Sequence, residues 1–186
     1  MLMTPQRIRE ALRLSHGKVP TVSERMTRKT LAGEPIARLS EPPAGRVARH
    51  GAVLALLYPH AEGIAVALTE RTAHLGSHAG QISLPGGRIE PDDASPWAAA
   101  IRETREEIGV DLTGAEPWAA LDRIYVAASN FFVTGYVTFC PERPSFRVSP
   151  GEVAKLIEAP LQALQRTEAF AVGERDALGE IVLEGY

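Results

Sequence analysis

The chain has 186 residues, of which 45% are apolar and 23% charged, with a net charge of −3. That is the composition of an ordinary globular domain; it offers no basic footprint for nucleic acid and no apolar run long enough to span a membrane. One cysteine, Cys140, excludes an intrachain disulfide framework, and charges interrupt the N-terminus where a secretory signal needs its apolar core, so a cytoplasmic protein is expected.

In chain order, residues 4–14 predict a short helix, with Pro5 in the first turn and Ile8 and Leu12 on one face. From His16 to Gly45 the chain mixes proline, glycine and basic residues with few periodic apolar positions. It reads as an extended arm, giving an N-terminal segment 1–45 before a domain of residues 46–186. The apolar runs 51–59 and 63–71, parted by a short turn, predict two strands of a buried sheet. Residues 121–127 and 131–139, rich in aromatic and β-branched side chains, predict another pair, and "GEIVLEGY" at 179–186 a further strand.

Two helices are expected among these strands. The first opens at Ser95, an N-cap followed by Pro96, and closes at Gly109. The second opens at Ser149, whose spacing to Glu152 is that of a capping box, and carries Val153, Leu156, Ile157, Leu161 and Leu164 inward, interrupted by Pro160. Strands interleaved with helices indicate an α/β fold with a mixed sheet between helices.

The first helix crowds Glu103, Glu106 and Glu107 into one turn and a half. Like charges at i,i+3 and i,i+4 destabilise an isolated helix by roughly 0.2–0.5 kcal/mol per pair. Trp97, Ile101, Thr104 and Ile108 lie on one side, with Trp97 a core residue and the glutamates pointing elsewhere. Carboxylates so placed, just after Gly86 and Gly87, outline a site for a hard cation such as Mg²⁺ or Mn²⁺. The residues alone leave a second reading open, a solvated acidic face neutralised by Arg102 and Arg105.

The order of these parts resembles the Nudix box, G-x5-E-x7-R-E-U-x-E-E-x-G-U with U aliphatic. Its second half stands here as "RETREEIGV", Arg102 to Val110, with Thr104 in place of the aliphatic residue. In the first half, Asp93 replaces the glutamate, and eight residues rather than seven separate it from Arg102. Those departures are similar to the coenzyme A diphosphatase branch, as is the upstream stretch "ALTERTAHLGSHAGQISLPGG". There Thr69, Arg71, Gly80, Pro85, Gly86 and Gly87 fall in register with that branch's signature, while Thr72, Gly76 and Leu84 depart from it.

The resemblance implies an α/β/α sandwich with a mixed sheet, and hydrolysis of a nucleoside diphosphate linkage. It implies coenzyme A as substrate, cleaved to 3′,5′-ADP and 4′-phosphopantetheine. Other substrates are ADP-ribose, a nucleotide sugar or a dinucleotide, and a further alternative is a non-catalytic nucleotide-binding domain. Glu103 and Glu107 would hold Mg²⁺ or Mn²⁺, with Glu106 and the Gly86 backbone as further ligands. Arg102 would fork onto a box carboxylate, and Arg71, Gly86 and Gly87 would contact the substrate. Gly76, where the signature has arginine, implies weakened affinity for coenzyme A unless Arg46 or Arg49, just before the first strand, compensates. His74 and His78 are read as loop residues, and Glu152 as a cap rather than a base. In the branch a further helix follows the last strand. Its absence here sets the expectation of a shortened product or of a homo-oligomer that covers the sheet.

Overall fold

The computed structural model describes residues 3–15, 26–30, 35–36, 39–72, 80–164, 170–176 and 179–185. In chain order the first elements are α1 (Pro5–Ser15), β1 (Met26–Thr30), β2 (Pro35–Ile36), β3 (Arg49–His60), β4 (Gly63–Arg71), β5 (Ile82–Ser83) and β6 (Gly86–Arg88). There follow α2 (Pro96–Ile108), β7 (Ala119–Ala120), β8 (Ile124–Val126), β9 (Phe131–Phe139), β10 (Val153–Pro160), a 3₁₀ turn (Leu161–Leu164), β11 (Phe170–Asp176) and β12 (Gly179–Gly185).

The apolar runs at 51–59 and 63–71 become the centre of an eight-stranded mixed sheet. β3 pairs antiparallel with β4 and parallel with β9, and β10 and β7 extend the two sides. Both faces of β3 are buried, which is why its sequence is continuously apolar rather than alternating. Ala52, Leu54, Leu56 and Tyr58 turn one way, onto Ala99, Ala100 and Ile108 of α2. Leu57, with Ile64, Val66 and Val137, turns the other way and meets Ile8 of α1. The sheet therefore lies between two helices, and the expected sandwich is present.

α2 begins and ends where its capping residues place it. Ser95 is extended, and its hydroxyl accepts the Ala98 N–H at 3.1 Å; Gly109 is left-handed at φ 73° and donates to the Arg105 carbonyl at 3.0 Å. Ser95→Ala should lower the unfolding free energy by about 1 kcal/mol with little effect on the site, as measured by urea denaturation.

The second expected helix is not there. Residues 153–160 form β10, which runs antiparallel along β4 with Leu156 opposite Thr69 and Ile157 opposite Leu68. Local pattern lost to tertiary demand: β4 needs a partner along its outer edge, and a hydrogen-bonded ladder there outweighs a weak helical preference. Pro160, about 3 kcal/mol unfavourable inside a helix, sits harmlessly at the end of an edge strand. "SPGE" is a turn instead of a cap, with the Ser149 carbonyl accepting N–H groups from Glu152 and Val153 at 3.2 and 3.0 Å.

The arm also differs from its expectation. Within it β1 pairs with β12 and β2, in a four-stranded sheet of order β11-β12-β1-β2. A partner about 150 positions away leaves no trace in local periodicity, whereas the strand expected at 179–186 is present as β12. Gly76, His74 and His78 lie outside the described residues.

Candidate functional site

Helical periodicity puts the three glutamates of α2 in three different environments. Glu106 is exposed, Glu103 is half-buried, and Glu107 is only 4% exposed. The last corrects the expectation that all three point away from the core: Glu107 shares the inward face with Ala100, Thr104 and Ile108. Thr104, in the box's aliphatic position, is fully buried and satisfies its hydroxyl on the Ala100 carbonyl at 2.7 Å.

Glu107 reaches the glycine turn. Its Oε2 accepts the Gly86 N–H at 3.2 Å, a bond that favours the ionised form. Burial acts more strongly and pushes the carboxyl up to about 7, with Glu103 and Glu152 adding repulsion and Arg71 relieving some of it. Glu103 is also raised, first by burial, against the opposing pull of Arg102. Its carboxylate lies against Gly87 so closely that a Cβ on that residue would stand 2.5 Å from Oε1. Gly86, at φ +151°, has no room for a Cβ either, since one would run into the Ala52 carbonyl and the Val53 backbone.

Arg102 ties the acidic residues together. Its Nε and Nη2 fork onto Asp93 Oδ1 and Oδ2, each at 3.0 Å, while Nη1 donates to Glu103 at 3.0 Å and Glu106 at 3.1 Å. Nη2 also donates to the Arg88 carbonyl at 2.9 Å, so one guanidinium fastens α2 to the segment after the glycine turn. The fork expected of Arg102 therefore falls on Asp93, the residue in the position of the box's first glutamate. The hydrogen bonds from Arg102 hold Asp93 below its ordinary carboxylate range. Arg102→Lys keeps the charge and loses the planar fork. It should lower stability by about 1–3 kcal/mol, seen as a reduced urea midpoint, because one ammonium cannot serve these partners together.

On the other side of the glycine turn lies a cavity of about 860 Å³. Gly86 and Gly87 form part of its wall, with Arg46, Arg49, Arg71 and Arg88 around it. No acidic residue is among its described lining. Arg71 is the residue expected to meet substrate, and its buried Nε has no hydrogen-bond partner among the described residues. Arg71, Gly86 and Gly87 are thus gathered in one place, and the same two glycines touch Glu103 and Glu107.

Glu152 joins the neighbourhood by a route the sequence reading missed. Its carbonyl accepts the Thr72 N–H at 3.1 Å beside Arg71, and its charge is felt by both Glu103 and Glu107. A helix cap at Glu152 would stand apart from the box; the pairing of β10 with β4 sets it beside Arg71 instead. Among the described residues no three acidic, histidine or cysteine side chains form a ready-made metal cage. Mg²⁺ takes one or two carboxylates and completes its shell with water and substrate phosphate. The partly buried Glu103 and the buried Glu107, both raised by burial, are a fitting pair for it.

The description "NUDIX domain" fits residues 48–177, for which the family model matches. The chain belongs to the Nudix family. Among curated proteins it is similar to Nudix hydrolase 15, mitochondrial, of Arabidopsis thaliana, with 34% identity over 82% of this chain and 54% of that protein. It is also similar to the uncharacterized Nudix hydrolase NudL of Salmonella newport (strain SL254), 40% identical over 53% of this chain and 51% of that one. The chain spans about half the length of these curated relatives.

Solved Nudix structures share the fold. The NUDIX domain of Shewanella oneidensis NrtR, complexed with ADP ribose, superposes with a TM-score of 0.53 at 20% identity, covering 67% of this chain and 80% of that one. A C. elegans Ap4A hydrolase in a binary complex gives 0.52 at 20% identity over 62% and 82%. No helix among the described residues is long and apolar enough to cross a membrane.

Proposed function

We propose that this Nudix chain hydrolyses a nucleoside diphosphate linkage with the help of Mg²⁺ or Mn²⁺, and that its substrate is coenzyme A or a close derivative, released as 3′,5′-ADP and 4′-phosphopantetheine. The observation that carries the reading is the shared glycine wall. Gly86 and Gly87 contact the buried glutamate pair and also line a cavity whose described charges are all arginine.

Glu103 and Glu107 hold the cation, and Glu106 stands by on the exposed side of the same turn. The cation, when bound, supplies positive charge against the diphosphate and makes water more acidic. Arg102 keeps Glu103 in place through the Asp93 fork. Arg71, whose buried Nε has no hydrogen-bond partner among the described residues, takes a phosphate oxygen. The choice of coenzyme A draws support from the register of Thr69, Arg71, Gly80, Pro85, Gly86 and Gly87, since the structure seats Arg71 and both glycines around the same cavity.

The test is a substrate panel of coenzyme A, dephospho-coenzyme A, ADP-ribose and a dinucleoside tetraphosphate, with Mg²⁺ and with Mn²⁺, products separated by chromatography. Coenzyme A should be cleaved with the highest kcat/KM. Preferred cleavage of ADP-ribose or the dinucleotide would replace the substrate assignment. Tight binding without any turnover would leave a nucleotide-binding domain.

A further inference from the structure

The arginines of the cavity fall into two groups. Arg71 ends β4, and Arg88 belongs to β6, the strand that begins with the two glycines. Arg46 lies just before β3 and Arg49 is its first residue. Along β3, Arg49 is two residues beyond Gly51, the partner of Arg88, a displacement of about 6–7 Å. A phosphate held by the second pair would sit about that far along β3 from one held beside Arg88.

The second pair is also held in place. The Arg49 guanidinium stacks 4.3 Å above the Phe131 ring and donates one bond, 2.9 Å, to the Ser129 carbonyl, its other side-chain donors having no partner among the described residues. Arg46 has no acidic partner among the described residues. Between them, Val47 is 90% exposed, so this segment is not kept in place by burial. Asn130 does that instead. It is the one described non-glycine residue with positive φ, at 55°, a conformation that costs energy unless its surroundings enforce it. Its amide donates to the Val47 carbonyl at 3.0 Å, its Oδ1 accepts the buried Tyr125 hydroxyl at 2.8 Å, and its carbonyl accepts the Arg49 N–H at 3.0 Å. Both residues that flank Ala48 are thus stapled to the turn at 127–130.

We infer that Arg46 and Arg49, positioned by Asn130, form a specificity clamp for a phosphomonoester carried on the nucleoside part of the substrate, apart from the diphosphate that is cut. A neutral ribose would not need two guanidinium groups in a cavity with no described acid. The inference rests on the proposed reaction for the placement of the diphosphate, and it adds the group that sets the substrate's identity.

Binding isolates that group. Adenosine 3′,5′-bisphosphate and adenosine 5′-monophosphate differ by one phosphate, and their dissociation constants can be compared by calorimetry on the whole chain with Mg²⁺ present. Wild type should prefer the bisphosphate by about ten- to a hundredfold, the worth of one or two charge-assisted bonds. Arg46→Gln, an exposed change that cannot unfold the protein, should cut the ratio, and Arg49→Gln should cut it further. Asn130→Gly tolerates the left-handed backbone but removes both side-chain bonds, and it should lower the ratio while Arg123→Gln, outside the cavity, leaves it alone. Equal affinity of wild type for the two nucleotides, or a ratio untouched by both arginine changes, overturns the clamp. Turnover in the same preparations separates the two ideas: hydrolysis without bisphosphate preference leaves the reaction standing and removes the clamp, and preference without hydrolysis does the reverse.

Discussion

Glu107→Gln is expected to reduce diphosphate hydrolysis by more than about a hundredfold at saturating Mg²⁺, while making the metal-free protein more stable at pH 8. The two effects have one cause. Burial raises the Glu107 carboxyl from 4.5 to about 7, so between those values the folded state binds a proton that the unfolded state has released. Stability then falls as pH rises. The neutral acid's contribution is complete below about 4.5 and is lost as pH passes through 7. At pH 8 the ionised side chain costs about 3 kcal/mol, which glutamine avoids at almost the same shape. Thermal melts from pH 5 to 8 without metal should show a wild-type decline that the variant lacks. Added Mg²⁺ should raise the wild-type melting temperature and do much less for the variant, since only the wild type keeps the paired charge. Near-native turnover by Glu107→Gln would remove Glu107 from the metal site.

That destabilising charge was legible in the sequence only in part. Three glutamates in one and a half turns announced a cost, and the Nudix-like order of the parts pointed to a cation. Their unequal burial was not legible, because it depends on where α2 meets β3: Ala99, Ala100 and Ile108 fix the helix's rotation, and Glu107 is carried inward with them. Local signals were reliable where they were self-contained, as at Ser95 and Gly109. They failed at 149–160, where apolar spacing compatible with a helix was overruled by the open edge of β4. The same failure hid the place of Glu152, and Arg46 and Arg49 could be named only as cations able to compensate for Gly76, with no position in the site, for a related reason. Arg46 and Arg49 precede a strand with no motif around them, and only the parallel pairing of β3 with β9 sets them beside Phe131 and Asn130. Local pattern reports what neighbours in sequence do; a site assembled from strand order is written elsewhere.

The two glycines of the turn should separate fold from chemistry. Gly86→Ala is expected to abolish folding or lower stability by more than about 3 kcal/mol. Its φ of +151° suits glycine alone, and the new Cβ meets backbone atoms of Ala52 and Val53 within the paired β3–β6 ladder, which cannot step aside. Gly87→Ala meets something different. Its Cβ would lie 2.5–2.6 Å from the carboxylate atoms of Glu103, the far end of a flexible side chain. That end can swing away, so stability should stay within about 1 kcal/mol of wild type. The carboxylate then leaves the position in which Arg102 holds it, and hydrolysis should fall by about ten- to a hundredfold, with a higher Mg²⁺ concentration needed for half-maximal rate. Pairing Gly87→Ala with Glu103→Asp shortens the displaced side chain by one carbon and should recover part of the Mg²⁺ dependence, which a general loss of packing would not permit. A Gly87→Ala protein that melts and turns over like wild type would show that Glu103 does its work from somewhere other than the glycine wall.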